Sequence, residues 1–371
     1  MTGLRKEISA APTRLELIAS IIDAFPRVKN PEPDRVANAA RKAEAIGFDN
    51  VLIGYVSTRA DSWMVAANVL FNTKKLRALV AQRPGMIPPT LLARIASTLD
   101  MLSEGRLSLN LVAGGSAVEQ AREGDFAGHD ERYARAAECM DIAIRSWTEP
   151  EEFNHRGKYF HVENVIQDVK PIQRPYPPLY VGGASDVGRE FATKYADVYM
   201  LWGEPLVDTR ARIEQVQALA RSMNRSTLRF SVSLRLVLGD TEQQAWDLAN
   251  SLVPEDAAKR AFEHSEHLED AGRARQLRFA QSNLIHDSRL WLGITAASGG
   301  HGATSALVGT PRQVIDALLE YVRMGVSCFQ LSSPKGGLLN APEGFFDTLR
   351  SEANAILEAL QGAAGAGQHN S

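Results

Sequence analysis

The segment PPLYVGGASDVGREFATKYADVYML (177–201) decides the fold. It opens on a short apolar run, PLYVGG (178–183), breaks at two glycines and continues as an amphipathic stretch. It closes on a second apolar run, DVYML (197–201). Both runs are too short for a helix and mostly apolar on both faces, as parallel strands buried under helices are. Strand, Gly-Gly turn, helix and strand make one unit of βα alternation.

Working outward, the same alternation recurs in LELIAS (15–20), NVLIGY (50–55), LRALVA (76–81), LSLNLV (107–112), FSVSLRLVLG (230–239) and VSCFQLS (326–332), which brings the candidate strands to eight. Helical periodicity fills most gaps. Residues 33–46 end at Gly47, a good C-cap. Residues 90–103 place Leu92, Ile95, Leu99 and Leu102 on one stripe, and 207–222 and 311–324 behave alike, the last opening with Pro311 and closing at Gly325. Eight strands interleaved with helices predict a (β/α)8 TIM barrel, with a doubly wound open sheet as the alternative. Two gaps are too long for one crossover helix. Residues 113–177, after strand four, hold a helix (131–147) and a hairpin (153–168). Residues 241–310, after strand seven, hold more than one helix and the Gly-rich SGGHGATS (298–305), which reads as a lid. Excursions after barrel strands build the catalytic face, so both insertions are expected to border the active site. The expected organisation is one domain over 1–360 and a disordered tail, 361–371.

The formal net charge is −3 over 371 residues, which gives no electrostatic footprint for nucleic acid or an anionic membrane. With 44% hydrophobic residues and 23% charge the chain is an ordinary globule. Its two cysteines, Cys139 and Cys328, lie too far apart for a disulfide framework or a Cys-based metal cluster, and no metal site is expected. No apolar run reaches the roughly 18–20 residues of a membrane helix, and the N-terminal residues lack the apolar stretch of a signal peptide. A soluble, cytoplasmic protein is expected. H-E-x-x-H, G-x-S-x-G, Walker and G-x-G-x-x-G motifs are all absent, so metal hydrolysis, triad chemistry and Rossmann-type binding have no support.

Four features carry candidate chemistry. After Gly182 and Gly183, residues Ala184, Ser185 and Asp186 start a helix whose free N–H groups suit a phosphate; a plain βα turn capped by Ser185 or Asp186 fits equally. His129 and Tyr133, four apart in HDERYARAAE (129–138), share a helix face from which both reach a phosphate or a ring, or else form a capped helix start with a half-buried Tyr. Asn110 sits inside the fourth strand, where a buried amide needs partners from the barrel or from a ligand. Arg59 and Arg83 follow strands two and three, positions for pairing an anion or for ordinary solvated arginines.

Together these pieces resemble the bacterial luciferase-like flavin monooxygenases, and most closely the branch typified by alkanesulfonate monooxygenase. The resemblance runs from about residue 14 to 355. It is carried by DSWMVAANVL (61–70), LVAQRP (79–84), ARIASTLDMLSEGRLSLNLVAGGS (93–116), HDERYARAAE (129–138), PPLYVGGASD (177–186), DVYMLWGEP (197–205), GDTEQQAW (239–246) and ALVGTPRQV (306–314). It implies a (β/α)8 barrel that uses FMN, as FMNH2 delivered by a transiently bound NAD(P)H-dependent flavin reductase. Dioxygen then adds to the flavin, and the peroxyflavin oxidises a small organic substrate. The implied assembly is a homodimer or homotetramer. By motif matching, Ser185 and Ala184 hold the FMN phosphate with His129 and Tyr133, while Asn110 and the Ala81-Gln82 turn lie beside the isoalloxazine. A non-proline cis peptide is common at those turns in the family. Deazaflavin-dependent hydride transfer on the same barrel, or flavin binding without turnover, are the competing readings.

The sulfonate-binding set departs from the pattern. Arg59 stands where sulfonate-oxidising members place a Cys shortly before D-S-W, and Ser233 and Arg235 stand where they carry an Arg and a His two apart on strand seven. Ser298 replaces an Arg before Gly-Gly, and a Tyr after the last strand is replaced around Ser333-Pro334. Each charge-assisted hydrogen bond removed costs an anion roughly 1.5–3 kcal/mol. Simple alkanesulfonates are therefore disfavoured, and an organosulfur, carboxylate or nitrogen-containing substrate is expected. Arg235 and Ser233 share a strand face, so Arg59, Arg235 and Ser233 are the candidate catalytic residues, the two arginines converging on one substrate anion.

Overall fold

Strands buried on both faces explain why eight short runs in this chain are apolar without alternation. The computed structural model describes residues 14–21, 33–114, 116–225, 228–253, 271–300 and 305–368. Eight parallel strands close into a barrel: β1 (Glu16–Ser20), β2 (Asn50–Ile53), β3 (Arg77–Gln82), β4 (Leu107–Leu111), β7 (Leu179–Gly182), β8 (Val198–Trp202), β9 (Arg229–Leu238) and β13 (Val326–Ser332). β8 pairs with β9, β9 with β13 and β13 with β1, so no edge is left and the open-sheet alternative is excluded. These are the eight strands expected from the sequence.

Helices α1 (Pro33–Ala45), α2 (Ser62–Phe71), α3 (Pro89–Leu102), α6 (Asp186–Tyr195), α7 (Leu206–Ser222) and α11 (Pro311–Arg323) connect successive strands, and α12 (Phe345–Gln368) follows the last. α12 runs into 361–371, the stretch expected to be a disordered tail, as far as Gln368. Strand side chains alternate between two cores. Val51, Val80, Leu109, Val181, Val232 and Leu234 face the helices, while Ile18, Leu79, Tyr180, Val198 and Cys328 pack inside the barrel. The floor of the barrel is polar. There Glu16 pairs with Arg229 at 2.9 Å and accepts from the Tyr180 hydroxyl at 2.7 Å.

The first insertion holds α4 (Ala117–Ala121), α5 (His129–Thr148) and the hairpin β5 (Phe153–Arg156) with β6 (His161–Val165). Glu138 on α5 fastens this hairpin by accepting from the backbone N–H of Tyr159 and Phe160. The second insertion holds α8 (Glu242–Ser251), α9 (Ala271–Ser282), β10 (Ile285–His286), β11 (Leu290–Trp291), α10 (Gly293–Ser298) and β12 (Ala306–Gly309). The strand β12 was not expected. It pairs in parallel with the upper half of β9, from Arg235 to Leu238, so the ten-residue β9 is a barrel stave only in its lower part. Of the expected lid, 298–305, residues 301–304 lie outside the described residues, while Gly299 and Gly300 take left-handed φ of 62° and 74° after α10. Both cysteines are free and buried.

Candidate active site

The C-terminal ends of the strands carry the catalytic face of a barrel, and one corner of that mouth is built around β7, α5 and α6. β7 leaves the barrel through Gly182 and Gly183. A Cβ on Gly183 would stand 2.6 Å from the carbonyl carbon and oxygen of Gly188, so glycine is required here by the close approach of strand exit and helix. Ser185 caps α6, its Oγ accepting from Gly188 N–H at 3.1 Å. His129 opens α5, and its Nε2 lies 3.4 Å from Ser185 Oγ. Tyr133, one turn on, meets the His129 ring edge-on at a centroid distance of 5.1 Å. A Cβ at Gly188 would come within 2.8 Å of the Tyr133 hydroxyl and 2.9 Å of Ser185 Oγ. The structure thus gathers His129, Tyr133, Ala184 and Ser185 from two distant segments at one helix N-terminus, where free N–H groups and the helix dipole favour an anion.

Arginines missed by the sequence reading complete this corner. The Ala184 carbonyl accepts from Arg189 Nη1 at 3.2 Å and from Arg212 Nη1 at 3.4 Å. Nothing in RARIEQ or DVGRE distinguishes these from surface arginines of ordinary helices. Tyr199, whose hydroxyl is pushed up by burial, donates to the Gly183 carbonyl.

Asn110 and Ala81 are register partners on β4 and β3, and Asn110 also pairs with Tyr180 of β7. Asn110 is only 9% exposed, on the interior face near the mouth, and its carboxamide hydrogen-bonds to none of the other described residues. A buried amide in that state suits a ligand with donors and acceptors of its own. The Ala81 carbonyl accepts from Ser62 Oγ at 3.0 Å, and Gln82 is held by Trp63 Nε1 at 2.8 Å. The cis peptide expected at this turn is not found: the cis bond among the described residues is Arg174–Pro175. The less costly trans form keeps the Ala81 carbonyl on the Ser62 hydroxyl. The helix-end cradle and the open amide of Asn110 together fit a phosphorylated flavin.

Of the two readings open for Arg83, the paired one holds: the side chain is only 7% exposed and is not a solvated surface arginine. It pairs with Glu123 at 2.9 Å and stacks over the Tyr55 ring at 4.7 Å, while the Tyr55 hydroxyl donates to the same Glu123. Burial and that carboxylate push the Tyr55 hydroxyl up to about 12. The cluster ties the loops after β2 and β3 to the first insertion.

Arg59 lines a cavity of about 140 Å³ with Ser20, Leu52, Ile53, Val65 and Gln330. Ser233 Oγ donates to Gln330 Oε1 at 2.9 Å, which brings Ser233 to the edge of that cavity. Arg235 lies beside Ser332 on β13 and donates to the Pro334 carbonyl at 3.0 Å; burial weakens its charged form. It lines a different cavity, of about 430 Å³, with Leu248, Leu252, Ile294 and Lys335. The two arginines thus line separate spaces, while Ser233, two residues before Arg235 on β9, meets Gln330 of β13 at the edge of the smaller one.

Among solved structures the chain is similar to a riboflavin lyase (RcaE) with modified FMN and riboflavin, at a TM-score of 0.71 and 21% identity over 93% of this chain and 92% of that one. EDTA monooxygenase (EmoA) from Chelativorans sp. BNC1 gives 0.71 and 19% over 93% and 94%. The long-chain alkane monooxygenase LadA gives 0.67 and 20% over 95% and 92%. At such identities these likenesses speak for the fold. The family model described as luciferase-like monooxygenase matches residues 17–328, nearly the whole barrel, and with that match the chain belongs to the luciferase-like monooxygenase family and is a flavin-dependent monooxygenase.

Proposed function

We propose that this chain is the oxygenase of a two-component system, taking FMNH2 from a separate NAD(P)H-dependent reductase and placing one atom of dioxygen in a small organic substrate. The observation that carries the reading is the gathering of His129, Tyr133, Ala184 and Ser185 at the start of α6, in the same mouth as the open amide of Asn110. Reduced flavin supplies the electrons that activate dioxygen. The chain supplies the rest: Ser185, His129 and Tyr133 hold the phosphate, and Asn110 with the Ala81-Gln82 turn orients the ring. Leu52, Ile53, Val56 and Val65 keep water from the reacting edge.

The substrate belongs in the smaller cavity, whose apolar wall and single guanidinium suit a small molecule with one polar or anionic end, an organosulfur, carboxylate or nitrogen compound. Arg59 is its anion contact, and Ser233 orders Gln330 beside it. Within the family the chain is read with the alkanesulfonate monooxygenase-like branch, yet the changed clamp residues Arg59, Ser233, Arg235 and Ser298 argue against simple sulfonates. In solution the chain works as a homodimer or homotetramer and meets its reductase transiently.

The test is oxygen uptake with FMN, NADH and a flavin reductase over a panel of small acids, organosulfur compounds and amines. One compound should give oxygen uptake matched one-to-one by product. If every compound leaves all reducing equivalents as hydrogen peroxide, or if the protein binds reduced deazaflavin and no reduced FMN, the reading fails.

A further inference from the structure

We propose that Arg212 is the buried cation through which this chain selects a phosphorylated flavin over an unphosphorylated one, an inference that rests on the FMN reading above. Arg212 lies on the inward stripe of α7, with Thr209, Ile213, Val216 and Ala220. It is only 8% exposed. A guanidinium has five N–H donors, and among the described residues its one hydrogen bond is the 3.4 Å contact from Nη1 to the Ala184 carbonyl.

The nearby carboxylates are taken by other arginines. Arg275 Nε donates to both oxygens of Glu204 at 2.8 Å, and Arg275 Nη2 reaches Asp208 at 3.2 Å. Asp186 is paired with Arg189. No described carboxylate lies within ion-pair distance of Arg212. Burial weakens the charged form of Arg212, Tyr199 and Glu204 favour it, and the neighbouring cations Arg275 and Arg189 work against it.

Holding a guanidinium out of water with one long hydrogen bond is unfavourable unless an anion joins it. The backbone it touches is residue 184, directly before the Ser185 cap, where the helix N-terminus, His129 and Tyr133 already converge. The helix N-terminus favours an anion modestly, and the Ser185 and Tyr133 side chains serve a hydroxyl as readily as a phosphate. Arg212 is the group whose contribution depends most on the ligand's charge, because a guanidinium gains far more from a dianion than from a neutral end. The chemistry it selects is a flavin ending in a phosphate monoester.

The experiment compares FMN and riboflavin binding, by flavin fluorescence, in the wild type, Arg212→Met and Arg212→Lys, with thermal unfolding of the apoproteins alongside. Wild type should bind FMN much more tightly than riboflavin. Arg212→Met should weaken FMN at least tenfold and riboflavin less than twofold, and should flatten the salt dependence of FMN binding. Arg212→Lys, which keeps the charge without the fork, should fall between. A wild-type preference for FMN that survives in Arg212→Met overturns this proposal alone, as does an equal loss of both flavins, which would assign Arg212 to holding the loop. A wild type that binds the two flavins equally overturns the phosphate reading itself and this proposal with it. Should Arg212→Met not fold, Arg212→Gln, which removes the charge and keeps a polar amide, decides, and an unchanged FMN preference and salt dependence in it overturns the proposal.

Discussion

Ser185 both caps α6 and faces His129, and this double role makes it the sharpest single position to alter. Aspartate is as good an N-cap as serine, so Ser185→Asp should fold and melt like the wild type. A carboxylate about 4 Å from a phosphate at an effective dielectric near 20 costs about 4 kcal/mol per charge pair, so its FMN affinity should drop at least a hundredfold. Equal Kd values for variant and wild type in a fluorescence titration would remove the phosphate from α6. Asn110→Ala should behave differently. One lost hydrogen bond of about 0.5–1.5 kcal/mol weakens binding roughly two- to twelvefold, and FMN and riboflavin should suffer alike, because the proposed contact of the amide is with the ring and not with the phosphate. His129, Tyr133, Asn110 and Ser185 were legible as residues because spacing and strand position expose them. Arg83, Arg189 and Arg212 were not: whether an arginine is solvated or buried depends on contacts made by distant segments, and helical sequence around it looks the same in both cases.

At the scale of elements, the passage from β7 to α6 depends on Gly183. Its neighbours at 2.6 Å are backbone atoms of Gly188, which cannot swing aside like a side chain. Gly183→Ala should therefore push α6 from β7, with a loss of about 1–3 kcal/mol in stability from overpacking and a marked loss of FMN affinity. A urea midpoint and FMN Kd both at wild-type values would show that the helix start tolerates displacement. This turn, the hairpin of β5 and β6, and α5 with His129 and Tyr133 on one face are legible in the sequence. β12 is not: it is a four-residue strand whose partner is the overhanging end of β9; so short an element has no period of its own, and only the pairing from Arg235 to Leu238 makes it a strand. That overhang also decides where Arg235 sits, beside Pro334 and away from the cavity of Arg59.

For the whole molecule, eight apolar runs were enough to indicate the barrel, because closing a parallel sheet buries both faces of every strand. The polar floor could not be read that way. Glu16, Arg229, Tyr180 and Asn50 come from four strands and meet only once the barrel is closed. Burial works to raise the Glu16 carboxyl, but Arg229 and the hydrogen bonds from Tyr180 and Asn50 hold it below its ordinary 4.5. A depressed carboxylate stabilises the fold above that ordinary value, and the contribution is lost as pH falls below it. Urea midpoints measured from pH 7 down to pH 3 should accordingly fall more steeply for wild type than for Glu16→Gln. Glu16→Leu, which strands Arg229 in the interior, should cost about 3–5 kcal/mol, and the double change with Arg229→Met should recover much of it. Parallel acid profiles for wild type and Glu16→Gln would place the acid sensitivity elsewhere.

The proposed binding of FMN by its phosphate at the start of α6, in the mouth of the barrel, is open to direct observation. A crystal structure of the protein with FMN tests it most directly. The phosphate should lie within hydrogen-bond distance of Ser185 Oγ, with His129 and Tyr133 on the same group and the flavin ring beside Asn110. FMN bound with its phosphate away from residues 184–186, or a ring turned away from Asn110, would contradict it.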